Sequence, residues 1–359
     1  MKLIKFLLIV VCFGHFSALA ENLISPANDN IIYTGRIDMS DKSAPSLSWP
    51  GSSIKANFSG SQLSIILDDE LGKNFFNVII DGNDVYPYVI EANKGQQTYW
   101  ISDTLVDGPH SVEIYKRTEG EEGATTFKGL LLSENGKLLE KPKRPQRRIE
   151  IYGDSITSGM GNEGAYNGAD HLLSEKNNYL AYGAITARAL NAELHTISQS
   201  GIGIMISWFP FIMPQFYDQV SAVGDNDSKW DFSQWTPDVV VINLFQNDSW
   251  LVDREKRLKP MPNEEQRIAA YIDFVRTIRG KYPDAQIICA LGSMDATREG
   301  SAWPGYIQSA VVKMQTTLAD DKLSTLFFDF NDYGQHPRVI QHQRNAEKLT
   351  TFIQQKMNW

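Results

Sequence analysis

Cysteine is almost missing from this chain of 359 residues: there are two, Cys12 and Cys289. Cys12 falls in an N-terminal segment that reads as removable, so the rest of the chain cannot form an internal disulfide. That excludes a small, loop-rich scaffold held by disulfides and demands a sizeable apolar core. Cys289 lies in the apolar run Gln286-Ile287-Ile288-Cys289-Ala290-Leu291 and reads as a buried small hydrophobe, not a nucleophile. Basic charge is also short, with 34 Lys and Arg against 43 Asp and Glu. Two of the basic residues and none of the acidic ones lie in the first twenty, which leaves −11 beyond them. This balance argues against nucleic acid or an anionic membrane as partner and is compatible with a neutral ligand. Beyond the N-terminus no apolar stretch is long enough to span a bilayer. Asp225-Asn226-Asp227 lacks the glycine and terminal glutamate of an EF-hand, and neither a metal nor another cofactor is expected. Internal repeats and low-complexity tracts are missing as well.

The N-terminus itself is informative. Lys2 and Lys5 precede an apolar run through Phe13, and Ala18-Leu19-Ala20 fits a small-residue cleavage site. Residues 1–20 are expected to be a secretory signal cut after Ala20. Export without disulfides favours a bacterial periplasm or exterior, and a monomer is expected.

The remaining chain reads as two domains. From 21 to 140, short runs with period-2 alternation predict strands, among them 61–67, 75–80, 98–101, 111–115 and 127–132. Their roughly ten-residue spacing, without a long helical pattern, predicts an all-β sandwich of the jelly-roll kind. Residues 141–148, with two prolines among basic residues, read as a solvated linker. From 149 to 359 strand and helix alternate. Strands are expected at 149–153, 194–198, 237–244, 285–291 and 326–330, and helices at 179–192, 264–279, 307–318 and 338–356. The run Val239-Val240-Val241-Ile242 suits a strand covered on both faces. The expected fold is α/β, a doubly wound, flavodoxin-like parallel sheet.

Gly153-Asp154-Ser155 ends the first of these strands. A serine where a strand gives way to a loop sits at the carboxyl edge of the sheet, where open α/β sheets bind ligands. Its hydroxyl needs a base in reach and donors for the oxyanion that forms. Five histidines follow residue 20, and His336 alone stands on a loop after the last strand, at the same edge. Ser198-Gln199-Ser200-Gly201 and Asn243-Leu244-Phe245-Gln246-Asn247-Asp248 also end strands there. The N–H groups of Ser155 and Gly201 and the amide of Asn247 are therefore the expected oxyanion hole. Asp154 is expected to brace the serine loop. No G-x-S-x-G elbow surrounds Ser155, and Gly159-Met160-Gly161-Asn162-Glu163-Gly164 does not directly join a strand to a helix, so a lipase elbow and a dinucleotide site are not expected.

The blocks carrying Ser155, Gly201, Asn247 and His336, in this order, resemble the SGNH (GDSL-like) hydrolase superfamily over residues 148–359. The stretches 153–164, 179–184 and 237–244 are similar to carbohydrate esterase family 2, which joins an N-terminal jelly roll to an SGNH domain. The resemblance implies a serine esterase that removes O-acetyl groups, often at O6, from plant polysaccharides or saccharides such as xylan and glucomannan. Two departures stand out. Most SGNH hydrolases carry an aspartate three residues before the histidine, and that position here is Tyr333. The backbone carbonyl near Gly334 is the favoured orienter of the imidazole, as in a Ser–His dyad, with Asp332 or Asp329 as alternatives. Phe245 replaces the common glycine two residues before Asn247, and its bulk is expected to reshape the floor of the acyl pocket.

Trp303, Trp250 and Trp208 are candidate platforms for a sugar ring, Trp303 first because its loop is expected at the cleft edge. Two other functions are compatible with these residues. One is a periplasmic lysophospholipase or thioesterase on the same fold. The other is a non-catalytic saccharide-binding protein, left open by the missing triad acid.

Overall fold

The structure is a computed structural model that describes residues 21–331 and 334–359. The expected signal segment with Cys12, and Asp332, lie outside the described residues.

The first half forms two six-stranded antiparallel sheets. One sheet brings together Leu63–Asp69, Gly95–Ser102 and Thr125–Leu132; the other brings together Ser53–Ser59, Phe75–Ile80 and Pro109–Lys116. Alternation decides which side chains face inward. Ile54, Ala56 and Phe58 of one sheet share a core with Leu63, Ile65 and Leu67 of the other. In Thr125–Leu132 the inward set changes parity, from Phe127 to Leu130 and Leu132. A bulge between Phe127 and Gly129 supplies the extra residue that makes this possible. A side chain at Gly129 would meet the Ile24 carbonyl, and its φ of 132° suits glycine.

The second half is a five-stranded parallel sheet in the order Ala192–Ser198, Arg147–Gly153, Val239–Asn243, Gln286–Leu291, Leu323–Phe327. This is the flavodoxin-like 2-1-3-4-5 arrangement. Ile149, Ile151, Val239 and Val241 pack on one face with Tyr182, Leu349 and Ile353. Tyr152, Val240, Ile242 and Cys289 pack on the other with Tyr271, Phe274 and Ile307. Both faces are covered, which explains the unbroken apolar runs. Several boundaries differ from expectation: the helix expected over 179–192 is confined to Tyr182–Ala189, the strand Arg147–Gly153 begins inside the expected linker, and two further shifts follow. The last strand starts three residues early, at Leu323, because Leu323 packs in the core. The helix expected from 307 starts at Trp303, with Pro304 in its first turn. No helix among the described residues is long and apolar enough to cross a membrane.

The halves are joined through buried charge. Arg36 of the sandwich is fully buried and reaches Glu150 of the parallel sheet at 3.2 Å, Tyr152 Oη at 3.1 Å and the Tyr217 carbonyl at 2.5 Å. Burial alone would push the Glu150 carboxyl up; Arg36 reverses this and holds it at about 2. The expected solvated linker is also tied down. Arg144 donates to Glu193 at 2.7 Å and to the Tyr33 carbonyl at 2.8 Å.

Candidate active site

Three adjacent strands deliver the site. Gly153 is paired with Ser198 on one side and Asn243 on the other, so the segments that follow all leave the sheet at its carboxyl edge. The first crossovers depart in opposite directions from Arg147–Gly153, which opens a crevice there. Ser155 begins the short helix Ser155–Ser158. Asp154 caps it, accepting the Ile156 N–H at 3.0 Å. Any side chain at position 153 would collide with Thr157, so glycine is required for this tight turn. Asp154 is fully buried. Desolvation pushes its carboxyl up to about 7, against the pull of the Ile156 N–H.

His336 stands on the loop between the last strand and the helix Val339–Met357, and its Nε2 lies 2.8 Å from Ser155 Oγ. Its Nδ1 lies 2.9 Å from Oδ2 of Asp170, which also accepts the His336 backbone N–H at 3.0 Å. Burial would raise the Asp170 carboxyl, but its bonds to His336 and Arg338 hold it at about 2. An ionised carboxylate only accepts, so Nδ1 carries the imidazole proton and Nε2 faces the hydroxyl as an acceptor. A hydroxyl, imidazole and carboxylate in this line can draw a proton from Oγ and stabilise the imidazolium that results.

Asp170 corrects the expected orienter. The carboxylate behind His336 comes from a loop fifteen residues after Ser155, not from the Gly334 carbonyl. Asp329 is exposed and pairs with Lys348 at 2.9 Å. Arg338 holds the Asp170 loop in place. It bonds Asp170 Oδ1 and the carbonyls of Gly161, Ala165 and Gly168. Sequence reasoning missed Asp170 because it looked only beside the histidine. The available signal was the irregular stretch from 159 to 172, a length of loop that is usually functional.

The Gly201 and Asn247 segments are bound to each other. Asn247 Nδ2 donates to the Ile202 carbonyl at 2.9 Å, and Oδ1 accepts the Trp208 indole N–H at 3.1 Å. Gly201 has a φ of 86°, and its carbonyl accepts the Trp208 N–H at 3.0 Å. Asp248 collects the N–H groups of Ile204, Met205 and Ile206 at 2.6–3.3 Å. Among the described residues, neither the Ser155 N–H nor the Gly201 N–H is used on a protein acceptor.

The tryptophans separate clearly. Trp303 is 4% exposed and bonds Asp253 at 2.9 Å. Its ring packs edge-on against Phe245 at 5.0 Å. It is a core residue on a helix, not the cleft-edge platform expected. Trp250 is half-buried, bonded to Asp295 at 2.7 Å and covered by Arg254. Trp208 is 43% exposed and adjoins Asn247. Phe245 takes the left-handed φ of 94° that explains why glycine is common there, and its ring packs into the core against Tyr271. Beside Asp170 a cavity of about 250 Å³ has walls from both domains, including Lys73 and Glu121 of the sandwich and Met160 and His171 of the second half.

Comparison with known proteins agrees with this architecture. Residues 33–142 match the family described as Carbohydrate esterase 2 N-terminal, and residues 151–355 match the GDSL-like Lipase/Acylhydrolase family. A family two carbohydrate esterase from Clostridium thermocellum, solved in complex with cellohexaose, superposes with a TM-score of 0.82 and 33% identity over 92% of this chain and 99% of that one. The chain belongs to carbohydrate esterase family 2. Other family 2 likenesses include a solved esterase from Cellvibrio japonicus, at TM-score 0.82 and 26% identity over 95% of this chain and 99% of that chain. An acetylxylan esterase / glucomannan deacetylase of Cellvibrio japonicus is 27% identical over 95% of this chain and 92% of its own length. The cellulase/esterase CelE of Acetivibrio thermocellus is 35% identical over 95% of this chain, which spans only 41% of that longer protein.

Proposed function

We propose that this family 2 protein is an exported serine carbohydrate esterase that removes O-acetyl groups, at O6 in particular, from polysaccharides such as xylan and glucomannan. The observation that carries the reading is the 2.8 Å approach of His336 Nε2 to Ser155 Oγ, with Asp170 fixed behind the ring. Ser155 attacks the acetyl carbonyl while His336 takes its proton. The Ser155 N–H, the Gly201 N–H and the second N–H of Asn247 receive the oxyanion, and the two backbone donors have no competing protein acceptor among the described residues. His336 then protonates the departing sugar oxygen, and water or another sugar alcohol releases the acetyl group. Trp208, 43% exposed beside Asn247 with the Arg257 guanidinium 4.5 Å from its ring centroid, offers the exposed part of its ring to the sugar.

The acyl donor is supported by relatives named acetylxylan esterase / glucomannan deacetylase. Asp170, bonded behind His336, counts against the non-catalytic binding protein that the missing triad acid left open. The test is acetate release from p-nitrophenyl acetate, acetylated xylan and acetylated glucomannan by wild type and Ser155→Ala. Release by the wild type and loss in the variant are expected, and nuclear magnetic resonance of partly digested glucomannan is expected to show O6 acetyls disappearing first. No release by the wild type, or a preference for long acyl esters, would overturn the reading.

A further inference from the structure

Glu119 takes no part in the steps above, yet it is the side chain on which the surrounding loops converge. It belongs to the sandwich domain and is fully buried. Its Oε2 accepts from Ser158 Oγ at 2.7 Å and from the Ser200 N–H at 2.6 Å. Its Oε1 accepts from Ser200 Oγ at 2.5 Å and from Lys176 Nζ at 2.6 Å. Ser158 closes the helix that Ser155 opens, and Ser200 immediately precedes Gly201. Ser158 Oγ also meets Ser198 Oγ at 2.9 Å, at the end of the neighbouring strand. One carboxylate from the other domain therefore fastens the serine loop to the glycine loop.

The charge of this group is sustained locally. Burial works against ionisation, but the Lys176 ammonium and the two serine hydroxyls outweigh it and keep the carboxyl below its ordinary value. Lys176 also binds Glu122 at 2.6 Å, so its ammonium occupies the space between the two carboxylates. Four donors on two oxygens leave the anion little freedom to shift. Donors for a developing oxyanion act only when held to within ~0.5 Å of their productive positions.

We propose that Glu119 is a positioning residue that sets the separation of the Ser155 and Gly201 N–H groups, so that the sandwich domain completes the oxyanion hole. This rests on the acyl-transfer reading above. Glu119→Gln removes the anion and, whichever way the amide turns, sets its N–H₂ against a group that can only donate, the Lys176 ammonium or the Ser200 N–H, so the clamp on the two loops loosens.

The test is steady-state hydrolysis of p-nitrophenyl acetate by the full chain, with thermal melts in parallel. For folded Glu119→Gln, kcat is expected to fall by ~10-fold to ~10²-fold, the scale of a sub-ångström to ångström misplacement, with KM nearly unchanged. The acidic limb of kcat/KM against pH is expected to stay in place, because Glu119 does not touch His336. A general loosening of the fold would move KM and that limb together. Ser158→Ala with Ser200→Ala removes two of the bonds while leaving Glu119 paired with Lys176, and serves if Glu119→Gln does not fold. Wild-type kcat in a folded Glu119→Gln, or in the double variant where Glu119→Gln does not fold, would overturn this inference alone. An inert wild type would overturn it together with the function proposed above.

Discussion

Trp208 donates its indole N–H to Oδ1 of Asn247 at 3.1 Å, while the amide nitrogen of Asn247 donates to the Ile202 carbonyl at 2.9 Å. These two bonds fix which way the amide points and leave its second N–H for a ligand. Trp208 therefore has two separable contributions, an N–H that orients a donor and an exposed ring. Trp208→Phe keeps a ring and deletes the N–H, and is expected to lower kcat about tenfold on every acetyl ester, less than the ~10²–10³ that outright loss of an oxyanion donor costs. Trp208→Ala is expected to raise KM as well, on acetylated glucomannan but not on p-nitrophenyl acetate. Equal effects of Trp208→Ala on the two substrates would count against a sugar-binding role.

Asp170→Asn preserves shape but not charge behind His336. The imidazolium loses its counterion and the ring can settle in the wrong tautomer. A fall in kcat of roughly 10⁴ is expected, the loss seen when such a carboxylate is neutralised. The three carbonyl bonds of Arg338 keep the loop in place, but its guanidinium loses the carboxylate it pairs with, so the melting temperature at neutral pH is expected to fall as well. Steady-state kinetics and a thermal melt decide this; near-wild-type kcat would mean that the histidine needs no orienting carboxylate.

Asp154 makes stability depend on pH in a definite direction. Its folded value, about 7, lies above the ordinary 3.8 of an aspartate. The neutral form is favoured in the fold, so this contribution is fully present below 3.8 and is lost as pH rises through about 7. Asp154→Asn retains an oxygen for the Ile156 N–H and removes the titration. Between about pH 4 and pH 8 the wild type is expected to lose more of its melting temperature than the variant does. A difference between the two proteins that is independent of pH would rule out this titration.

Trp303 and Trp208 are expected to respond oppositely. Trp303→Phe loses the bond to Asp253 and part of a packed edge-on contact with Phe245, for a cost of ~1–3 kcal/mol in stability. KM for acetylated glucomannan is expected to stay at the wild-type value. Calorimetry and saturation kinetics on the same preparation check both statements.

Much of this molecule was readable before its coordinates, for reasons that differ by element. Alternation in 61–67 exposed the sandwich because Gln62 and Ile66 on its outer face stay half-exposed, whereas 75–80 is buried on both faces, with Ile79 packed against Tyr115 and Tyr179. The run at 239–243 exposed the parallel sheet because it too has no wet face. The approach of Ser155 to His336 was foreseeable because strand order sends both to one edge. Asp170 was hidden because it belongs to no strand end. Its position is fixed by Arg338 and by the path of a loop, neither of which has a sequence period. Trp303 misled for a related reason: Gly300-Ser301 suggested an open loop, but the helix begins at Trp303 and turns the indole inward. The carboxylate of Glu119 was hidden because the reading assigned chemistry to one half of the chain only.

Arg36 carries a consequence for modularity. A hydrolase half severed near residue 147 would retain Glu150 inside its own sheet without the guanidinium that neutralises it, and stranding one member of a buried pair typically costs 3–5 kcal/mol. The β half is thus no detachable cassette that can be grafted, shuffled or trimmed at will. A change at Arg36 in one half is therefore felt at Glu150 in the other.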